Sequence, residues 1–266
     1  MNSENIALKK TIAYMKSHWP SDVKEEWQVG IEDYPDILKK VLADFTNQKT
    51  KEHHFVRIAG LSGSGKTTQI LPAAEAYFDN KKLEPILVAA RRFVEYHPHH
   101  QEILDFYGAE NIRKKTDEFS TIMMFLVLNE LTKQGYDIIL DVTLLDPEIE
   151  QILLSMLEAG NYEVLFLMIA ISPAVTEKFL KGRDWRHTKK TEIEFIRATE
   201  KAFKFYAENA GNTRIILWSV YDKSPVYDGP INDSREIFFD YSAREEMPKS
   251  DDDERREAKI SYLKLI

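Results

Sequence analysis

Residues Gly60 to Thr67, GLSGSGKT, set two glycines, a lysine and a threonine at the spacing G-x-x-x-x-G-K-[ST]. Each residue type there suits one part of a polyphosphate. Glycines let consecutive amides turn toward a single anion, a following helix adds its partial positive charge, Lys66 reaches the outer phosphates and Thr67 offers a hydroxyl to Mg²⁺. The residues expected on a nucleotide are therefore Gly60, Leu61, Ser62, Gly63, Ser64, Gly65, Lys66, Thr67 and Thr68. The ligand expected is a nucleoside triphosphate, ATP or GTP, with Mg²⁺.

A phosphate cradle of this kind needs a carboxylate near the cation, usually at the end of a neighbouring apolar strand. DIILDVT supplies Asp141 in that place. Capping the next helix is the competing role, for which Asp146 before Pro147 fits better. A third cluster, KFLKGRDWRHTKK (Lys178 to Lys190), holds six Lys or Arg among thirteen residues. Such a block suits a lid whose guanidinium groups, Arg183 and Arg186 first, neutralise a transferring phosphoryl group. A solvated helix face is the plainer alternative. The fourth cluster, RRFVEYHPHHQ, starts at Arg91, at the carboxyl end of an expected strand, where an open α/β sheet meets its ligands. His99 and His100 are adjacent and cannot share a helix face, so His97-Pro98 reads as a turn opening a helix rather than a metal site.

The elements that must position these groups alternate. Ile6–Trp19 and Pro35–Phe45 carry helical periodicity. Strands are expected at Phe55–Gly60, Pro85–Ala90, Tyr136–Thr143, Tyr162–Ile171 and Thr213–Ser219. Helices between strands imply right-handed βαβ units, and strands apolar throughout imply helices on both faces. The fold class expected is doubly wound α/β with a mostly parallel sheet. Its domains would be a helical extension over 1–50, a phosphate-loop domain over 51–220, and a hairpin and helix over 221–266. VYDGPINDSREIFFDYS reads as a small hairpin, and SDDDERREAKISYLKLI as a helix capped by Ser250.

Composition narrows the class further. The 266 residues carry a formal net charge of −8, which argues against broad nucleic-acid binding and requires any anion to be met by a local basic cluster. The absence of cysteine leaves no disulfide or thiolate metal site. The apolar runs Ile122–Leu128 and Val164–Ile171 are short for a membrane span. No signal-peptide pattern opens the chain, so a cytoplasmic location is expected.

The order of the glycine loop, F-x-x-x-H-P (Phe93, His97, Pro98), the QGYDIILDVT strand and the Arg-rich block resembles the zeta toxin family of P-loop kinases, over about Phe55 to Ser219. The resemblance implies ATP- or GTP- and Mg²⁺-dependent phosphorylation of a sugar hydroxyl of UDP-N-acetylglucosamine, and an antitoxin protein as partner. It implies that Lys66 and Thr67 serve nucleotide and Mg²⁺, that Asp141 and Thr143 match an acidic-x-Thr element beside the active site, and that Arg186 matches a lid arginine, Arg183 more loosely. Arg91, Thr143 and Ser120 are the residues assigned to the acceptor.

This sequence departs from that pattern on the acceptor side. Arg91 stands where the family carries the aspartate that takes the hydroxyl proton, Ala89 where an acidic residue is common, and Phe125 where a glutamate meets the substrate. Either another carboxylate, Glu95 or Asp141, serves as base for a different small-molecule acceptor, or the chain binds nucleotide without the family reaction. Arg91 would then hold an anionic group of the acceptor or pair with Asp141 or Glu95.

Overall fold

A computed structural model of the chain describes residues 3–19, 21–47, 49–60, 64–142, 147–171, 201, 203–210 and 213–243. The chain divides into two compact units, Met1–Gln48 with Val88–Gln134, and Lys49–Leu87 with Gly135–Ile266.

The second unit carries most of a six-stranded sheet of order β2-β3-β1-β4-β5-β6. Its strands are β1 (His54–Ala59), β2 (Ile86–Val88), β3 (Ile138–Asp141), β4 (Glu163–Ala170), β5 (Arg214–Ser219) and β6 (Ser224–Pro230). β1 pairs in parallel with β3 and β4, β4 pairs in parallel with β5, and only β6 runs antiparallel to its neighbour. Side chains of alternate strand residues feed two cores. Val56, Ile58, Leu165, Leu167, Ile216 and Trp218 pack with α3 (Leu71–Lys81) through Ala74, Tyr77 and Phe78. Phe166, Met168, Ile215 and Leu217 pack with Phe203 and Tyr206 of the helical residues 203–210 and with Ile231 and Phe238 of the last described helix. Both faces are thus covered, which is why these strands read as unbroken apolar runs.

β1 is pinned at its start. The wholly buried Asp137 carboxylate accepts from the His54 amide at 2.9 Å and the Glu52 amide at 3.2 Å. At its other end the chain passes through the glycine loop into a π-helical turn, Lys66–Ile70, in which the Leu71 amide reaches back five residues to the Lys66 carbonyl. Pro72 explains the wide turn, because it has no N–H to donate to Thr68 and its ring crowds that carbonyl.

Two expectations are corrected here. The second strand stops at Val88, and Ala90–Tyr96 winds instead into a 3₁₀ turn. VYDGPINDSREIFFDYS is not a hairpin. Its first residues lie in β6, whose turn from β5 passes through Lys223 at φ +49°, and α8 (Ile231–Ser242) follows. Ile231, Ser234 and Phe238 are buried at helical spacing, with Ser234 Oγ donating to the Ile231 carbonyl at 2.7 Å. The segment expected as a C-terminal helix lies outside the described residues.

The first unit holds α1 (Ser3–His18), α2 (Tyr34–Phe45), the 3₁₀ turn, α4 (His100–Tyr107), α5 (Ile112–Lys115) and α6 (Asp117–Lys133). α6 is nearly buried all round, from Phe119 to Leu128. Against it α1 sets Lys16, which donates to Glu118 Oε1 at 2.5 Å and to the Val29 carbonyl at 2.9 Å, and Trp19 stacks on Phe125 with centroids 6.1 Å apart.

Candidate functional site

Gly60 follows β1 at φ +147°, and a Cβ there would lie 3.0 Å from Ser64 Oγ and 3.3 Å from Ile169 Cβ. Only glycine fits that turn. Gly65 is left-handed at φ +93°, and its carbonyl accepts from the Thr68 and Gln69 amides at 3.1 and 2.8 Å. The Lys66 ammonium folds back to the Gly60 carbonyl at 2.8 Å, across the described ends of the loop. Ser64 is buried, and its hydroxyl has no partner among the described residues. A buried orphan hydroxyl costs free energy that a ligand oxygen would recover. Thr67 is exposed, whereas the Thr68 hydroxyl is engaged with the Gly65 carbonyl at 3.2 Å. Leu61, Ser62 and Gly63 lie outside the described residues.

Asp141 closes β3 and is 6% exposed. Its Cα partner on β1 is Ile58, two residues before Gly60, and the Val142 amide donates to the Ile58 carbonyl at 3.3 Å. A carboxylate on the strand next to the glycine loop, with the Thr67 hydroxyl just after that loop, would offer Mg²⁺ an all-oxygen donor set. Thr143, Arg183 and Arg186 lie outside the described residues.

Sequence reasoning passed over one group in this unit. Arg57, in the middle of β1, is wholly buried with Glu150 of α7 (Pro147–Ala159). Its Nη2 donates to Glu150 Oε1 at 2.7 Å, and Nη1 bonds both Glu150 Oε2 and, at 2.7 Å, the Tyr206 hydroxyl. The Tyr206 hydroxyl in turn donates to Glu150 Oε2. Burial by itself would lower the Arg57 pKa; the charges of Glu150 and Tyr206 and the hydrogen bonds to both together outweigh it, and the net direction is up. Burial raises the Tyr206 phenol. The signal was one arginine inside the apolar run FVRIAG.

In the first unit, Arg91 and Glu95 are exposed on the 3₁₀ turn. Phe93 is buried there against Phe45, rings 5.4 Å apart, with Arg92 4.5 Å over the Phe45 ring and the Tyr96 hydroxyl donating to Asp44 at 2.9 Å. The expected turn and helix follow at His97-Pro98 and His100. His97 Nδ1 accepts from the His99 amide at 3.1 Å, and burial, helped by the His99 and His100 charges, pushes its pKa down to about 4. His100 Nδ1 donates to the Val94 carbonyl at 3.1 Å. These histidines shape the turn, and among the described residues no group of three His, Asp or Glu could hold a metal. Ser120 is buried on α6 with no hydroxyl partner among the described residues, and Phe125 is buried beneath Trp19.

Residues 38–228 match the family model described as Zeta toxin. The chain belongs to the zeta toxin family. Toxin PezT of Streptococcus pneumoniae serotype 4 is 25% identical over 153 residues, 55% of this chain and 58% of that protein. This family member therefore spans little more than half the length of that curated relative. A solved structure from the PezAT chromosomal toxin-antitoxin system of S. pneumoniae superposes with a TM-score of 0.63 at 20% identity, covering 91% of this chain and 100% of the other. The AvrRxo1-ORF1:-ORF2 complex gives a TM-score of 0.52 at 12% identity, over 88% and 84%. Both likenesses support the doubly wound fold expected from the strand pattern. Among the described residues no helix is long and apolar enough to cross a membrane.

Proposed function

We propose that this zeta toxin family member is a P-loop phosphotransferase that moves the γ-phosphoryl group of ATP or GTP to a hydroxyl of a small molecule. The observation that carries the reading is the register of β3 on β1, which sets Asp141 opposite Ile58 at the mouth of the glycine loop. Lys66 would leave the Gly60 carbonyl for the outer phosphates, with the loop amides and the Ser64 hydroxyl on the phosphate oxygens. Thr67 and Asp141 would hold Mg²⁺, which neutralises charge developing on the transferred group. Arg183 and Arg186 are proposed to add charge there. The acceptor oxygen attacks the γ-phosphorus, the bond to the β-phosphate oxygen breaks, and the hydroxyl proton passes to a carboxylate, Glu95 or Asp141. Arg91, Ser120 and Thr143 are assigned to the acceptor.

A second reading has a specific observation in its favour. Arginine at position 91 cannot accept a proton, so the chain would bind nucleotide and act through a protein partner, the class represented by the antitoxin of the PezAT system. Incubation with Mg²⁺ and γ-labelled ATP or GTP over a metabolite extract separates the two. A labelled small molecule absent from the Lys66→Ala reaction supports the transferase. Nucleotide binding without any labelled product supports the binding module.

A further inference from the structure

The connection from β3 to α7 begins beside Asp141, and Val142 at its start and Glu150 in the helix that follows it are fastened to consecutive residues of β1. At the start, the Val142 amide donates to the Ile58 carbonyl. At the end, in the first turn of α7, Glu150 is gripped by both terminal nitrogens of Arg57. Tyr206 bonds Arg57 and Glu150 alike, and the Phe166 ring lies under the guanidinium at 5.6 Å.

Core stability gives little reason for such a group. Two dehydrated charges cost about as much as their attraction returns, and apolar residues of equal volume often serve as well. A two-pronged Arg–carboxylate pair adds direction, because its planar fork fits one orientation of the carboxylate. Here it ties one turn of α7 to one residue of β1, three residues before Gly60.

We propose that Arg57 is a positioning residue for the cation side of the nucleotide site. Its grip on Glu150 fixes where α7 starts along β1, and so holds Asp141 in place beside the glycine loop. This rests on the reading of Asp141 as the Mg²⁺ carboxylate.

Replacing the pair by apolar groups of similar volume, Arg57→Met with Glu150→Leu, keeps the core filled and removes the directional tie. ATP affinity is measured by calorimetry in Mg²⁺ and in EDTA. The expected result is a loss of about 10-fold confined to the Mg²⁺ arm, the low end for residues that orient a metal ligand. No loss, or the same loss in both arms, overturns the proposal. Amide exchange of nucleotide-free protein judges the tie without any ligand, and Leu140 protection in the double variant shows that its sheet is folded. In the wild type, Val142 is expected to be protected like Leu140 within β3, and in the double variant to exchange at least about 10-fold faster. A wild-type Val142 amide as fast as an unprotected one refutes the tie. A wild type that binds no ATP while Val142 stays protected instead refutes the nucleotide reading.

Discussion

A guanidinium at position 91 offers N–H donors and no acceptor, so it cannot take the proton of an attacking hydroxyl as a carboxylate would. General-base assistance is typically worth about 10²–10⁴-fold in rate. Phosphorylation of UDP-N-acetylglucosamine by the wild type is therefore expected to be slow or undetectable, and Arg91→Asp to raise it. Turnover assays of both proteins decide this, and robust wild-type activity would refute it. Lys66 gives the sharper residue-scale test. Its ammonium lies 2.8 Å from the Gly60 carbonyl, and Lys66→Ala removes the cation proposed to reach the outer phosphates. Calorimetry is expected to show Mg·ATP affinity falling at least about 100-fold, in keeping with the loss of a charge-assisted bond and its long-range attraction. Unchanged affinity would end the P-loop reading. The glycine turn after β1 and the place of Asp141 at the end of β3 were legible because each follows from a short run of consecutive residues. The Arg57–Glu150–Tyr206 group was not, because its members stand 93 and 56 residues apart and no local spacing joins them.

Among the elements, the turn after β2 carries a pH dependence. A seven-residue 3₁₀ run is long for that geometry, and Phe93, Tyr96 and the His97 ring tie it to neighbouring side chains. His97 is 4% exposed and neutral, with its pKa pushed down to about 4, whereas in the unfolded chain it titrates near 6.5. Between these values the unfolded state binds the proton and the native state does not. Stability is thus full above about pH 6.5 and falls as the pH drops toward 4, by roughly 1–3 kcal/mol from this residue. His97→Gln removes the proton site, so the wild-type-minus-variant stability difference in urea melts should shrink on acidification from pH 7 to 4.5. A difference independent of pH would contradict the assignment. Strands β1 to β5 were legible as branched apolar runs, and α2 as an amphipathic repeat; β6, SPVYDGP, was not. The 3₁₀ turn and α8 were not. Asp-Gly-Pro before α8 reads as a turn, yet it ends an edge strand where Pro225 and Pro230 are tolerated.

At the scale of the whole molecule, the residues expected as an N-terminal extension are built into the first unit's core. Residues before 38 lie outside the span that matches the family model, yet they include Ile12, Met15 and Tyr34, each at most 1% exposed. Burying each such side chain contributes about 1.5–3 kcal/mol. Lys16 also supplies the positive partner of Glu118, whose side chain is only 6% exposed. Removing one member of a largely buried pair leaves a charge without compensation, a change that commonly costs about 3–5 kcal/mol. Against a total stability of about 5–15 kcal/mol, these losses are comparable to the whole. A fragment of residues 38–266 is therefore expected to be poorly soluble or to lack a cooperative melt, although its glycine loop and Asp141 are intact. Lys16→Met in the full chain, which keeps the stem and removes the charge, is expected to lower the melting temperature by several degrees. Thermal unfolding of both proteins checks this: a fragment that melts as cooperatively and as high as the full chain would show that α1 is dispensable.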